Sequence, residues 1–225
     1  MTSPDFSTFA ESYDRMNAIL SLGRHSAWRA AAAKDIPDDA MEVLDLACGT
    51  GDFSLEIARR HPSAKVTGLD LSAAMTAAAE KKLPPSAQGR VTFAVGDACD
   101  LSRFAACSFD AATCAFGFRN FADRPKALAE VARVLKPGGV LVVLEFFRPP
   151  RGPISAATRL WIKAAARIFA RRHVAEYDYL ADSIAATTSA EEFAALAGDA
   201  GFDEIRRRKF FPATTCATFA KRRSA

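Results

Sequence analysis

The chain has 225 residues, of which half are hydrophobic and a quarter charged, and its formal net charge is +4. This length and composition exclude general disorder and favour a single globular domain. No apolar run approaches the ~20 residues of a membrane-spanning helix, and the polar, acidic segment 1–12 is not a signal peptide. Five cysteines without a Cys-x-x-Cys pair predict reduced thiols, no metal site and a cytoplasmic location.

Two helices are predicted at the start of the chain, within residues 1–37. Apolar and aromatic residues recur at the spacing of an amphipathic helix from Phe6 to Leu20, and a second helix is expected from about Ser26 to Lys34. We predict that these helices either form a lid over the fold that follows or cover apolar surface of its sheet.

Strands and helices alternate through the next part of the chain, residues 40–146. Apolar runs predict five strands, near 42–46, 65–70, 91–95, 109–114 and 139–145. Helical patterns separate them, near 53–61, 73–82 and 123–135. The alternation predicts a parallel sheet with right-handed crossovers. Lys136-Pro137-Gly138-Gly139 is expected to be a turn that ends a helix and precedes the fifth strand.

The last third of the chain predicts a helical cap over 153–200 and a pair of antiparallel strands within 201–225. Three helices are expected, near 155–172, 177–185 and 190–200. The first carries a basic stripe, which indicates either a solvated face or a helix resting on anionic lipid. The run Arg206–Lys209 fits the wet side of an edge strand better than a nucleic-acid site.

These elements together predict an α/β, Rossmann-like fold with a seven-stranded, mostly parallel sheet and helices on both faces. The first predicted strand ends in a glycine turn, Gly49-Thr50-Gly51. Glycines let the backbone approach a ligand closely, and the following helix directs its free N–H groups to the same spot. A bare pair of glycines is also typical of a surface turn without a ligand.

Acidic residues at the next two strand ends favour a nucleoside ligand. Asp70 can accept hydrogen bonds from both ribose hydroxyls, and Asp97 can accept one from an adenine amino group. Dinucleotide-binding loops carry a third glycine, and the corresponding residue here is Ser54. The pattern therefore favours S-adenosylmethionine, which has no phosphate, and predicts a methyltransferase.

The loop after the fourth strand, Phe116-Gly117-Phe118-Arg119-Asn120-Phe121, places an arginine and an amide among aromatic residues. A guanidinium lowers the pKa of a neighbouring phenol or quinol, whose ring carbon can then attack the methyl group. Alternatively, Arg119 pairs with an acid such as Asp123 and braces the loop. An Asn-Pro-Pro-Tyr motif and a Pro-Cys nucleophile are absent, which argues against methylation of nucleic acid.

The chain resembles the ubiquinone/menaquinone biosynthesis C-methyltransferase family from about residue 6 to about residue 205. The most specific segments are Leu20–Gly23 with His25, and Phe116–Asn120. The resemblance implies transfer of a carbon-bound methyl group to a prenylated quinol, with S-adenosylmethionine and no metal. Demethylmenaquinol is the expected acceptor.

The resemblance also implies roles for particular residues. Arg119 and Asn120 become the candidates for activating the quinol hydroxyl. Predicted cofactor-binding residues are Gly49, Thr50, Gly51, Asp70, Leu71, Asp97, Ala98 and Ala115. Predicted substrate-binding residues are Tyr13, Asn17, His25 and Phe116.

Three departures from the family pattern leave the acceptor open. Ala115 stands where members often have serine, Leu101–Phe104 replaces a Leu-Pro-Phe segment, and Lys209–Cys216 differs from the usual ending. The alternatives are a soluble phenolic acceptor, methylated on carbon or oxygen, and a non-catalytic subunit of a quinone-synthesis complex. We expect no nucleic-acid partner and leave peripheral contact with the inner face of a membrane, and homodimerisation, open.

Overall fold

A computed structural model describes residues 21, 23–148, 187–210 and 215–223 of the chain. The helices predicted near 6–20, 155–172 and 177–185 lie outside these residues, as do Tyr13 and Asn17. No candidate membrane-spanning helix is found among the described residues.

The described residues form seven strands and five α-helices. The strands are β1 (Glu42–Leu46), β2 (Lys65–Asp70), β3 (Val91–Val95), β4 (Phe109–Ala115), β5 (Leu135–Phe146), β6 (Phe202–Phe210) and β7 (Thr215–Arg222). The helices are α1 (His25–Ala32), α2 (Asp52–Arg60), α3 (Ala73–Lys82), α4 (Arg124–Val134) and α5 (Ala190–Asp199).

The seven strands form one sheet in the order β3-β2-β1-β4-β5-β7-β6. The first five strands pair in parallel, and β7 runs antiparallel between β5 and β6. The strand order reverses direction next to β1, so the carboxyl ends of β1 and β4 border a crevice of the kind in which open α/β sheets bind ligands. The predicted Rossmann-like fold with its antiparallel closing pair is confirmed.

The sheet is buried on both faces, which explains why most residues of its central strands are apolar. Val43 of β1 packs with Trp28 of α1 and Phe53 of α2 on one face. The next residue, Leu44, packs on the other face with residues of α4 and α5. Because side chains alternate along a strand, Val43 of β1 belongs to one hydrophobic core and Leu44 and Leu46 to the other.

The predicted and observed boundaries coincide for the first three strands and differ most at β5. That strand begins at Leu135, so the segment predicted as a turn lies within it. The β4–β5 pairing shifts register between Phe109 and Ala111. At this irregularity, a Cβ on Gly139 would lie 2.8 Å from the carbonyl oxygen of Lys136, and therefore only glycine fits.

Helix α1 covers apolar surface of the sheet. This was one of the two alternatives predicted for the N-terminal helices, the other being a lid. Trp28 stacks on Phe210 at a centroid distance of 6.1 Å and meets the edge of Phe146 at 6.1 Å. The docking of Trp28 brings its neighbour Arg29 beside the glycine loop.

Strand β6 lies at the edge of the sheet, and its basic residues alternate between the faces. Arg207 pairs with Glu191 at the start of α5, at 2.7 Å, whereas Arg208 pairs with Asp35 at 2.8 Å. The position predicted for this basic run, on an exposed edge strand, is confirmed.

Candidate active site

The glycine loop joins β1 to the N-terminus of α2, and its second glycine, Gly51, cannot be replaced without strain. Gly51 has a φ of 83°, which disfavours other residues. A Cβ there would lie 2.8 Å from Cζ of Phe93 and 2.9 Å from Cβ of Ala79. The loop backbone is thereby held tightly against the sheet, with the first N–H groups of α2 beside it.

Asp70 ends β2 and is tied to the glycine loop. Its Oδ2 accepts a hydrogen bond from the backbone N–H of Gly49 at 2.8 Å, and its Oδ1 accepts one from that of Ser72 at 2.9 Å. Burial raises the pKa of the carboxyl, and the two N–H donors oppose that effect. Each oxygen retains acceptor capacity, so Asp70 can still accept hydroxyl donors.

An exposed apolar surface lies next to these acids. Three large hydrophobic side chains are exposed among the described residues, and two of them lie here. Leu71 follows β2 and is 73% exposed, and Val95 is the last residue of β3 and is 49% exposed. Asp97 is exposed beyond β3, where its Oδ1 accepts from the N–H of Cys99 at 2.8 Å, and Ala98 is buried. Apolar side chains flanked by carboxylates are suited to an adenosine.

Thr50 is engaged with the neighbouring helix α3. Lys82 donates from Nζ to the Thr50 hydroxyl and to Oδ1 of Asp52, both at 2.9 Å. The Lys82 ammonium thus bridges the glycine loop and the first residue of α2.

Asp45 is a fully buried acid in β1 that the sequence reasoning missed. Ser54 donates to its Oδ2 at 2.5 Å, and Thr113 donates to its Oδ1 at 2.7 Å. Burial raises the pKa of Asp45 to about 6, although both hydroxyls favour the charged form. Ser54, which takes the place of a third glycine, therefore satisfies a buried carboxylate.

Arg29 is a second residue that the site analysis missed. Its Nη1 lies 3.3 Å from Oδ2 of Asp52, and its guanidinium carbon lies 5.5 Å from the centre of the Phe116 ring. Its Nε and Nη1 are buried and donate no hydrogen bond within the described part of the chain. The sequence did not indicate this role, because the spacing of residues in α1 does not reveal where the helix docks.

Arg119 follows β4 and is paired with an acid other than the predicted one. Its Nη1 donates to Oε1 of Glu145 and to the carbonyl oxygen of Phe116, both at 2.6 Å. Its backbone N–H donates to Oε2 of Glu145 at 3.2 Å. Asp123, the acid named as an example, instead caps α4 by accepting from the N–H of Lys126 at 2.9 Å, so Arg119 has an acidic partner but a different one.

The other predicted site residues differ in exposure. Asn120 is exposed at the end of the Arg119 turn, and Ala115 is half-buried in the wall of the glycine-loop cavity. Phe116 is buried, with its ring stacked on Phe146 at 5.1 Å. His25 is at the start of α1, and its Nδ1 lies 3.0 Å from Oγ of Ser21, within hydrogen-bond distance.

Buried thiols border the same edge of the sheet. Burial raises the pKa of Cys48, in the glycine loop, and of Cys114, in β4, far above the ordinary value, and nearby carboxylates act in the same direction. Both residues are therefore neutral thiols rather than nucleophiles.

Two cavities share the wall formed by Arg29 and Asp52. The smaller, about 10 Å³, is enclosed by the glycine loop, Asp45 and Ala115 and has room for about one water molecule. The larger, about 490 Å³, is a cleft between α1 and α2 that extends to Arg90.

The residues at this edge fit S-adenosylmethionine. The glycine loop brings backbone close to a ligand, and Asp70 retains acceptor capacity beside exposed Leu71. Arg29 presents buried N–H donors to the glycine-loop cavity. A nucleoside that carries a zwitterionic amino acid matches this combination of acceptors, apolar surface and cationic donors.

Comparisons with known proteins agree with the geometry. The model of the ubiE/COQ5 methyltransferase family matches residues 4–222. A demethylmenaquinone methyltransferase from Deinococcus radiodurans is 42% identical over 88% of this chain and 83% of its own length. The ubiquinone/menaquinone biosynthesis C-methyltransferase of Syntrophotalea carbinolica is 40% identical over 92% of this chain and 88% of its own.

A solved structure supports the fold. An S-adenosylmethionine-dependent methyltransferase from Thermotoga maritima superposes with a TM-score of 0.67 at 20% identity, covering 97% of this chain and 98% of that one. The glycine loop and the acids that follow it agree with this assignment. The chain is an S-adenosylmethionine-dependent methyltransferase and belongs to the ubiE/COQ5 methyltransferase family.

Proposed function

We propose that this enzyme methylates a ring carbon of a prenylated quinol and that its acceptor is demethylmenaquinol, which it converts to menaquinol. The observation that carries the proposal is the high identity, over most of both chains, to proteins named for this reaction. The acceptor loop is compatible with it, because Arg119 and Asn120 follow β4 at the edge of the sheet that carries the glycine loop.

The chain's own residues would hold the cofactor through its adenosine. Asp70 would accept from ribose hydroxyls and Asp97 from the adenine amino group, while the backbone of Gly49–Gly51 would line the sulfonium end. When bound, S-adenosylmethionine supplies an electrophilic methyl group. The enzyme must then orient the ring carbon and keep water away from it.

Arg119 and Asn120 would act on the acceptor hydroxyl. A positive charge near a quinol favours its phenolate form, which carries more electron density on the ring carbons. Glu145 takes up part of the Arg119 charge, so we propose that Arg119 acts at a distance, through a water or through the exposed amide of Asn120. Glu145 and the carbonyl of Phe116 would fix the orientation of the guanidinium for that role.

A prenylated acceptor resides in lipid, so the proposal includes contact of this protein with the inner face of a membrane and a cytoplasmic location. Flotation with anionic and neutral vesicles would measure that contact, and retention on anionic vesicles alone would support a basic contact surface. Light scattering of the purified protein would determine whether it forms a homodimer, which the sequence leaves open.

An acceptor screen with labelled S-adenosylmethionine tests the function. The protein is incubated with demethylmenaquinol, reduced in the reaction mixture, with its oxidised form, and with the same ring lacking the prenyl chain. We expect label in a ring carbon of the reduced, prenylated compound. Equal activity on tail-less phenols would instead favour a soluble phenolic acceptor. Cofactor binding without any labelled product would overturn the assignment.

A further inference from the structure

We propose that Arg29 is the residue that binds the carboxylate of the cofactor's methionine moiety. The inference rests on the cofactor and not on the proposed acceptor. It begins from the burial of Arg29, whose side chain is 7% exposed in a wall shared by two cavities. Buried guanidinium groups are ordinarily satisfied by hydrogen bonds or by a close carboxylate.

The neighbours of Arg29 leave it short of acceptors. Nε and Nη1 donate no hydrogen bond within the described residues, and the Asp52 contact is 3.3 Å long. Asp52 is itself shared, because its other oxygen accepts from Lys82 at 2.9 Å. Since an unsatisfied buried donor costs free energy, a planar anion that accepts from Arg29 would recover that cost.

The location of Arg29 specifies which part of the cofactor it would meet. Its cavity is bounded by Gly49 and Thr50 of the glycine loop and by Ala115 at the end of β4. The ribose acid Asp70 hydrogen-bonds to the N–H of Gly49 from the neighbouring strand end. The cavity therefore continues from the ribose position toward the amino-acid end of the cofactor, where a carboxylate is the anionic group.

Two features hold Arg29 in place before a ligand arrives. Trp28 anchors α1 among Phe116, Phe146 and Phe210, and the guanidinium lies over the Phe116 ring at 5.5 Å. A cation over an aromatic face keeps its outward N–H groups available to a coplanar acceptor. The small volume of the cavity implies that a carboxylate enters by separating Arg29 from Asp52.

Calorimetric titration without any acceptor tests the assignment. S-adenosylmethionine is compared with decarboxylated S-adenosylmethionine, which lacks only the carboxylate. Arg29→Gln should weaken binding of the complete cofactor about tenfold or more, the range for a charged hydrogen bond, and leave binding of the decarboxylated compound unchanged. Arg59→Gln is the matched control, since Arg59 lines the larger cavity but is exposed and paired with Glu56.

Two results would overturn the proposal: an equal loss of affinity for both ligands, or no loss for either. Arg29→Lys covers the case in which the glutamine variant does not fold. Lysine retains the positive charge but not the planar set of N–H donors of the guanidinium. The affinity for S-adenosylmethionine relative to the decarboxylated compound should therefore fall by less than in Arg29→Gln. An unchanged ratio in Arg29→Lys would then overturn the assignment. These titrations contain no quinol. Their outcome would therefore stand even if the protein did not methylate demethylmenaquinol.

Discussion

Breaking the buried Arg119–Glu145 pair should destabilise the protein strongly. The two side chains are 5% and 0% exposed and lie 2.6 Å apart, and the carboxylate also accepts from the N–H groups of Arg119 and Phe146. Removing one partner of such a pair costs about 3–5 kcal/mol, because the other charge stays buried without compensation. Glu145→Gln retains one acceptor oxygen, so we expect the lower end, about 3 kcal/mol.

The assay is equilibrium unfolding in urea, supported by thermal unfolding. For a chain of this size, a loss of about 3 kcal/mol corresponds to a fall in Tm of about 6–12 °C. Glu56→Gln is the control, because it disrupts the Glu56–Arg59 pair, whose arginine is 71% exposed and screened by solvent. An unchanged unfolding midpoint in Glu145→Gln would refute the reasoning.

A double variant separates bracing from chemistry. Arg119→Met with Glu145→Leu removes both charges and should be more stable than Glu145→Gln, because apolar pairs of similar size often replace buried ion pairs at little cost. A double variant with restored stability and cofactor affinity but with lost turnover would assign Arg119 a role toward the acceptor. Recovered turnover would show that Arg119 only braces the loop. Additive destabilisation by the two substitutions would refute the pairing argument.

Three further predictions follow from the cofactor edge of the sheet. Asp70→Ala should weaken binding of S-adenosylhomocysteine by about 1–3 kcal/mol in calorimetry, because polar partners lose their acceptor; unchanged affinity would show that Asp70 is not the ribose acid. The pKa of Asp45 is raised to about 6, so the folded state binds its proton more tightly than the unfolded state does. The free energy of unfolding should therefore fall as pH rises from 4 to 6, by up to about 3 kcal/mol relative to Asp45→Asn, and parallel pH profiles would contradict this. Gly51→Ala should destabilise the protein more than Gly89→Ala, since both have positive φ but only Gly51 would clash, with Phe93; equal Tm changes would show that the loop yields.

Much of the fold could be predicted because its signals are local. The apolar runs of β1, β2 and β3 are bounded by turn residues, and their predicted limits coincide with the observed ones. The position of Asp70 beside the glycine loop could be predicted because the carboxyl ends of parallel strands meet at one edge of the sheet. The predicted start of β5, near residue 139, was wrong. A Gly-Gly pair usually marks a turn, but Gly138 and Gly139 belong here to an irregular strand.

The contacts of the arginines could not be predicted, because they join distant segments. Glu145 lies 26 positions after Arg119, whereas Asp123 is close in sequence. Charge and spacing favoured the nearer acid, but its side chain caps α4. The place of Arg29 depends on the docking of Trp28 against Phe210, which the closing strands supply.

The two buried arginines differ in what neutralises them, and that difference separates a residue that holds the fold from one that awaits a ligand. Arg119 meets a fully buried carboxylate at 2.6 Å, whereas Arg29 meets Asp52, 29% exposed, at 3.3 Å. Because burial of a cation is offset only by close, well-oriented acceptors, Arg29 is the less compensated of the two in the absence of cofactor. A bound carboxylate would supply the missing acceptor, and the gain would appear as linkage between ligand and stability. Saturating S-adenosylhomocysteine should therefore raise the Tm of the wild type more than that of Arg29→Gln. The loss of stability caused by Glu145→Gln should, in contrast, be the same with and without S-adenosylhomocysteine.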